Sequence, residues 1–279
     1  MKKTIALLHP GEMGAAIGAD LVARGHRVVW ASAGRSASTC TRARNAGLED
    51  VETLARAAHA ADIVLCVCPP HAAMELVRAI AACGFGGVYV DANAVSAETT
   101  RAVGRLVEAA GASYVDGGII GMPPLPGTSV RLYVCGPRAA EVAALFEGCI
   151  LHAIVLDGPV GAASVLKVCF AAWNKGATAL LANIRALAQQ EGVDAALLAE
   201  WKISLPDIPE RSEMVTSRAR KAWRWIAEME EIAASFEAAG LPAGFHLAAA
   251  DIYRRLEGFK DAAQQPTMAE VTAALSRRP

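Results

Sequence analysis

The sequence has no charge excess of either sign. Its 27 basic and 28 acidic residues nearly cancel, so no overall field draws the chain to nucleic acid or to an anionic membrane. It also lacks the cysteine spacing of a metal clip. Seven cysteines are present, yet Cys66 and Cys68 lie two apart in an apolar run, where a strand turns both to one side without making a CxxC pair. Cys40, Cys83, Cys135, Cys149 and Cys169 are scattered among apolar neighbours and read as small hydrophobes. The expectation is no metal site and, for an odd number of isolated thiols, a reducing, cytoplasmic setting. No small-residue cleavage site follows the first apolar run, which is cut at His9-Pro10-Gly11 and reads as a strand, not a signal peptide. The longest apolar stretch is no membrane span, because Lys167, Asn174, Lys175, Asn183 and Arg185 interrupt it. Internal repeats and low-complexity segments are absent.

What is there suits two domains: 279 residues, with 54% of them hydrophobic. Residues 4–8, 27–30, 63–67, 88–90, 114–115 and 131–134 are short, mostly apolar runs bounded by turn residues, and 13–24 follows the first as a helix. Such alternation implies a doubly wound parallel sheet, a Rossmann α/β fold, over residues 1–160. Residues 161–279 read as an all-α domain, opening with a long interdomain helix that ends near residue 190, about 45 Å in length. Helices over 195–203, 213–239 and 245–256 should cover it. Because it is apolar nearly all round, a second protomer is expected too, as a homodimer through the carboxyl-terminal helices.

The strongest motif runs from Ile5 to Gly18. A strand leads through His9, Pro10, Gly11, Glu12 and Met13 into a helix, so backbone N–H groups at the helix start can approach a pyrophosphate. Gly11 permits that approach and Gly14 permits close helix–strand packing; His9 stands where the first glycine is usual. An ordinary β–α turn is the plain alternative. The second strand ends Val28-Val29-Trp30-Ala31-Ser32-Ala33-Gly34-Arg35-Ser36 without the carboxylate that binds a ribose 2′-OH. Arg35 could fork onto a 2′-phosphate, with Ser32 and Ser36 as hydroxyl donors. The alternative for Arg35 is a solvated loop residue, and the missing acid points to NADP(H). Cys68, Pro69, Pro70 and Asn93 lie where later strands reach the same carboxyl edge. Ser96 serves there as a helix cap or as a ligand contact.

Lys167 sits among Val165, Leu166, Val168, Cys169 and Phe170, where a fully wet face is not expected. It must snorkel, meet a partner or line a cleft. In a cleft a partly desolvated lysine suits general acid/base chemistry. Asn174, seven residues on, shares its helix face.

On these residues, with Arg24-Gly25-His26-Arg27-Val28, residues 61–70, Val90–Ser96, residues 114–121 and Ala222 through Pro242, the chain resembles the β-hydroxyacid dehydrogenase superfamily. That group includes 6-phosphogluconate and 3-hydroxyisobutyrate dehydrogenases and the imine reductases, and the segment 222–242 also resembles a poorly characterised phosphogluconate-dehydrogenase-like branch. The resemblance implies a Rossmann domain, an intertwined dimer with active sites between domains, a small-molecule substrate and Lys167 as general acid/base. It places Gly118, Ile119 and Ile120 at the substrate, together with Ser96, Asn174, Trp223 and Glu228. Three departures are visible. Ile120 replaces a serine that helps hold a carboxylate, Ala171 replaces an asparagine, and Ala227-Glu228 replaces a Lys-Asp pair. Hydroxyl–carbonyl interconversion with NADP(H) is the leading expectation; the alternatives are C=N reduction with Glu228 or Asp116 beside the iminium, and silent NADP binding.

Overall fold

The computed structural model describes residues 2–69, 72–93, 95–260 and 262–277. They form two compact units, 1–167 and 168–279.

In the first unit strands and helices alternate, each strand short because its turn residues stop it. The order is β1 (Thr4–Leu8), α1 (Glu12–Ala23), β2 (Arg27–Trp30), α2 (Ala37–Asn45), β3 (Glu49–Asp50), α3 (Leu54–Ala60), β4 (Ile63–Cys66), α4 (Ala73–Ala82), β5 (Val88–Asp91) and α5 (Ala97–Ala109). Then come β6 (Ser113–Gly121), β7 (Val130–Cys135), α6 (Ala139–Ala144) and β8 (Leu151–Val155). They make one eight-stranded sheet in the order β3-β2-β1-β4-β5-β6-β7-β8. Helices cover both faces, so β4 and β5 are buried along their whole length and need no polar alternation. One core layer gathers Ile5, Leu7, Val28, Leu65 and Val90; the opposite layer gathers Ala6, Val64, Tyr89, Val103 and Tyr114. Burying each such Val, Ile or Leu side chain contributes about 1.5–3 kcal/mol.

The sheet is the doubly wound, mainly parallel one expected, and two particulars add to it. It is not wholly parallel, since β7 runs antiparallel to β6: the Pro-rich turn between them is too short for a crossover helix. The run 114–115 is part of β6, which continues to Gly121, so Gly118, Ile119 and Ile120 lie on strand.

The chain leaves this unit through α7 (Ala162–Gln190), a single unbroken helix of 29 residues. The second unit packs α7 with α8 (Asp194–Ser204), α9 (Ile208–Ala219), α10 (Trp225–Ala238), α11 (Gly244–Arg255) and α12 (Met268–Ser276). Its core joins Ala179, Ala182, Val215, Met229, Ala250 and Tyr253; small alanines let the helices approach closely. The helix expected over 213–239 is two helices. A 3-10 turn at Ala222–Arg224 separates α9 from α10, and no glycine or proline in the sequence marks that break. Among the described residues no helix is long and apolar enough to cross a membrane.

Candidate active site

In the β3-β2-β1-β4-β5-β6 order the direction of winding across the sheet reverses between β1 and β4, and in open α/β sheets ligands bind in the crevice at the carboxyl ends of the strands beside such a reversal. The turn after β1 fills one side of it. His9 adopts a left-handed backbone, φ 66°, as a glycine would; histidine is among the residues that tolerate this conformation. The Gly11 N–H then donates to the His9 carbonyl at 2.7 Å, closing a three-residue turn about the buried Pro10. Gly11 is the N-cap of α1 and has no side chain to cap it. The first N–H groups of the helix, at Glu12 and Met13, therefore remain available to an anion. Gly14 is required by space: a Cβ there would lie 2.8 Å from the His9 carbonyl oxygen.

The loop after β2 folds back onto this turn. Arg35 Nη1 donates to His9 Nδ1 at 3.1 Å, and Arg42 Nη1 donates to the Pro10 carbonyl at 3.3 Å. Two guanidinium groups thus reach the nucleotide turn. Arg42 escapes a linear reading because it comes from the last turn of α2. Ser36 caps α2, accepting from the Thr39 N–H at 3.3 Å, and its hydroxyl is 3.0 Å from those of Ser38 and Thr39. Ser32 is half-buried, and its carbonyl accepts from the Arg35 N–H at 3.0 Å.

On the other side of the crevice the Cys68 N–H donates to Asn93 Oδ1 at 2.6 Å, and Asn93 Nδ2 donates to Cys66 Sγ at 3.3 Å. Asn93 so ties the end of β4 to the end of β5. The Cys68 hydrogen bond and burial push the Cys66 thiol well above its usual range. Pro69 is half-buried beside them. Pro70 and His71 lie outside the described residues. Ser96 takes the capping role: its hydroxyl accepts from the Thr99 N–H at 3.2 Å at the start of α5.

Next along the edge, β5 and β6 align Asp91 with Asp116. Asp116 is fully buried. Its Oδ2 accepts from the N–H groups of Gly161, Ala163 and Ser164 at 3.0, 2.9 and 3.2 Å, and its Oδ1 accepts from the Ser164 hydroxyl at 2.6 Å. It caps α7 from a neighbouring strand, the acidic partner that a helix start favours. Its Oδ2 is crowded with donors, and this burial against the start of α7 weighs against a place beside an iminium. Nothing local in the sequence links residue 116 to 161–164. Just beyond, Gly118 lets β6 touch the first turn of α7; a Cβ there would stand 2.4 Å from the Ala163 carbonyl oxygen and 3.3 Å from Lys167 Cβ. The half-buried Lys167 thus stands on a side-chain-free patch of strand at the carboxyl edge. Ile119 and Ile120 are buried, so the position of the family's serine offers no hydrogen bond.

In the helical unit the expected substrate residues are engaged with neighbours. Asn174 is exposed and its Oδ1 accepts from Arg218 at 3.2 Å. Glu228 pairs closely with Lys175, whose ammonium lies 5.8 Å from the Trp225 ring centre. The Trp223 ring faces Lys260 at 4.3 Å and Arg224 at 5.2 Å. His246 packs between Phe236 and Phe245.

Residues 4–126 match the NAD binding domain of 6-phosphogluconate dehydrogenase, and 188–256 match the domain of unknown function DUF1932. The first match covers the strand, turn and helix just described and identifies residues 4–126 as an NAD binding domain of the 6-phosphogluconate dehydrogenase type. No curated protein sequence matches the chain. Solved structures do. A conserved hypothetical protein from Sinorhizobium meliloti is 25% identical, with 99% of this chain and 96% of that one covered and a TM-score of 0.79. The 3-hydroxyisobutyrate dehydrogenase of Mycobacterium tuberculosis, solved with L-serine, is 20% identical over 99% and 100% of the two chains, with a TM-score of 0.79. An imine reductase of Streptomyces aurantiacus is 20% identical over 98% and 100%, with a TM-score of 0.59. The two-domain architecture is the one these proteins share.

Proposed function

We propose that the chain interconverts a hydroxyl and a carbonyl on a small, hydroxy-acid-like substrate with NADP(H), and that Lys167 is the general acid/base. The observation that carries this reading is the placement of Lys167 against Gly118 at the carboxyl edge of the sheet, the edge on which a Rossmann domain binds its nucleotide. The bound nicotinamide would supply or accept the hydride. The α1 N-terminus at Gly11, Glu12 and Met13 would take the pyrophosphate, and Cys68, Pro69 and Asn93 would bound the far side of the crevice. Arg35 and Arg42, with the hydroxyl cluster at Ser36, would take a 2′-phosphate, which favours NADP(H) over NAD(H). Lys167 would give its proton to a carbonyl oxygen in reduction and take it back in oxidation. Gly118, Ile119 and Ile120 would wall the substrate side, and that apolar wall suits a substrate held by its carbon skeleton.

The same buried isoleucines favour a second reading, reduction of a C=N bond. It is the weaker one, because Asp116 is committed to α7 and Glu228 to Lys175. The test is Lys167→Met, assayed with NADPH on panels of 2- and 3-oxo acids and cyclic imines, with nucleotide binding followed by fluorescence. Turnover should fall by about 10²–10⁴-fold while nucleotide affinity holds. Near-normal turnover would remove Lys167 from the chemistry, and tight NADPH binding without turnover of any panel member by the native chain would leave a silent binder.

A homodimer through the helical unit is part of this proposal. Phe170, Trp173, Leu180 and Leu187 stand exposed on α7, an apolar row that water disfavours. Sedimentation should give twice the 29.0 kDa chain mass; a monomer at micromolar concentration would refute it.

A further inference from the structure

A histidine stands in the nucleotide turn where the backbone suits glycine. His9 has φ 66°, a left-handed conformation that strains a residue with a β-carbon and that glycine meets freely. The side chain carried there is engaged. The half-buried imidazole lies alongside Gly11, its Cδ2 and Nε2 3.6 and 3.8 Å from the place of a Cβ. Its Nδ1 accepts from Arg35 Nη1 at 3.1 Å. A guanidinium only donates, so Nδ1 carries the lone pair and a neutral ring keeps its proton on Nε2. Among the described residues this is the one hydrogen bond of the Arg35 side chain. The loop before Arg35 gives little other support: Gly34 has φ 72°, with nothing within 4 Å of the place of a Cβ. Arg42 is held apart from the ring, by the Pro10 carbonyl at 3.3 Å.

We propose that His9 is a positioning residue for cofactor choice: its Nδ1 holds the Arg35 guanidinium at the nucleotide turn, set for a 2′-phosphate. This rests on the reading of Arg35 as a 2′-phosphate residue. A long, half-buried arginine loses rotamer freedom when it grips an anion. One tethered beforehand loses less, and the difference appears as affinity. One N–H goes to the imidazole, and the others of the guanidinium remain for phosphate oxygens. A ribose with a free 2′-hydroxyl presents no such anion, so NAD(H) gains little from the tether. His9 therefore sharpens the preference for NADP(H) and leaves nucleotide binding in general to the helix start.

The test is titration with NADPH and with NADH, followed by nucleotide fluorescence, of His9→Gly, His9→Asn, Arg35→Ala and the double variant His9→Gly with Arg35→Ala. Glycine suits the left-handed backbone, so His9→Gly keeps the turn and removes the acceptor. It should weaken NADPH binding by about three- to tenfold and leave NADH nearly unchanged. Asparagine also tolerates this backbone, and its Oδ1 supplies an acceptor, so His9→Asn should keep most of the preference for NADPH. In the Arg35→Ala background His9→Gly should add no further loss, because the tether then has nothing to hold. Equal losses of both nucleotides in His9→Gly, the mark of a merely structural turn residue, overturn the proposal. So do an unchanged preference in that variant, an asparagine variant no better than glycine, and additive losses in the double variant. The reading beneath it fails separately. Equal losses for NADPH and NADH in Arg35→Ala would remove Arg35 from the 2′-phosphate, and this proposal with it. A selective loss in Arg35→Ala beside a neutral His9→Gly would remove His9 alone.

Discussion

The two units treat their polar side chains in opposite ways. In the sheet unit, groups far apart in sequence converge at one edge and leave capacity unused: an uncapped helix start at Gly11, two arginines on the His9–Pro10 turn, an underpaired Asp91. In the helical unit several polar groups satisfy one another, although the buried His246 Nδ1 has no hydrogen-bond partner among the described residues. Glu228 meets Lys175, Arg218 meets Asn174, and Arg185 meets Asp194 and Glu213. The difference teaches that a polar residue's placement says little until its partners are counted. Spare donors and acceptors mark a place for something else to bind, and closed pairs mark a scaffold.

Three substitutions test that contrast. The largest expected effect on stability is at Asp91. Its value in the fold, about 6, lies above the 3.8 of a free aspartate, so the folded state binds the proton more tightly. Its favourable contribution is complete in acid below the free value and lost as pH rises through about 6. Asp91→Asn does not titrate, so it should gain on the native chain by about 3 kcal/mol between acid and pH 8. Denaturant midpoints measured across that range check this; a gain equal at both ends would show that the charge carries no cost. Next comes Arg35→Ala, which should weaken NADPH binding by about tenfold and leave NADH nearly unchanged. Equal losses for the two nucleotides would place the guanidinium off the 2′-phosphate. The smallest effect belongs to the helical unit. Glu228→Gln breaks a partly exposed pair and should cost about 1 kcal/mol of stability, with no change in nucleotide affinity. A large rise in substrate KM would break the contrast by making Glu228 a binding residue.

Much of the sheet unit is legible in the sequence because its signals are local. Strands are apolar runs cut by turns, Gly14 and Gly11 stand in the first turn, and the end of β2 has no acid. Lys167 is conspicuous because its helix neighbours are apolar. What stays hidden depends on pairing across distance. The bond from Asp116 to residues 161–164 joins segments more than forty positions apart. Arg42 reaches Pro10 only because α2 folds back over the turn. The direction of β7 and the existence of β8 depend on edge pairing, since β8 carries a half-exposed pattern with no strong alternation. In the helical unit the break between α9 and α10 falls in Arg220-Lys221-Ala222-Trp223-Arg224, where each residue is an acceptable helix former. Packing of Trp223 against Lys260 and Arg224, not local preference, accompanies the interruption.

The capping of α7 by Asp116 has a kinetic consequence. Helix ends ordinarily fray, and their first amides exchange with solvent quickly. Here the amides of Gly161, Ala163 and Ser164 are bonded to a carboxylate rooted in the middle of a buried strand. They can open only when β6 itself lets go, so deuterium should enter them at the rate of the sheet's own slowest amides. The base of the long helix thereby unfolds as part of the sheet, and the stem of Lys167 inherits that steadiness.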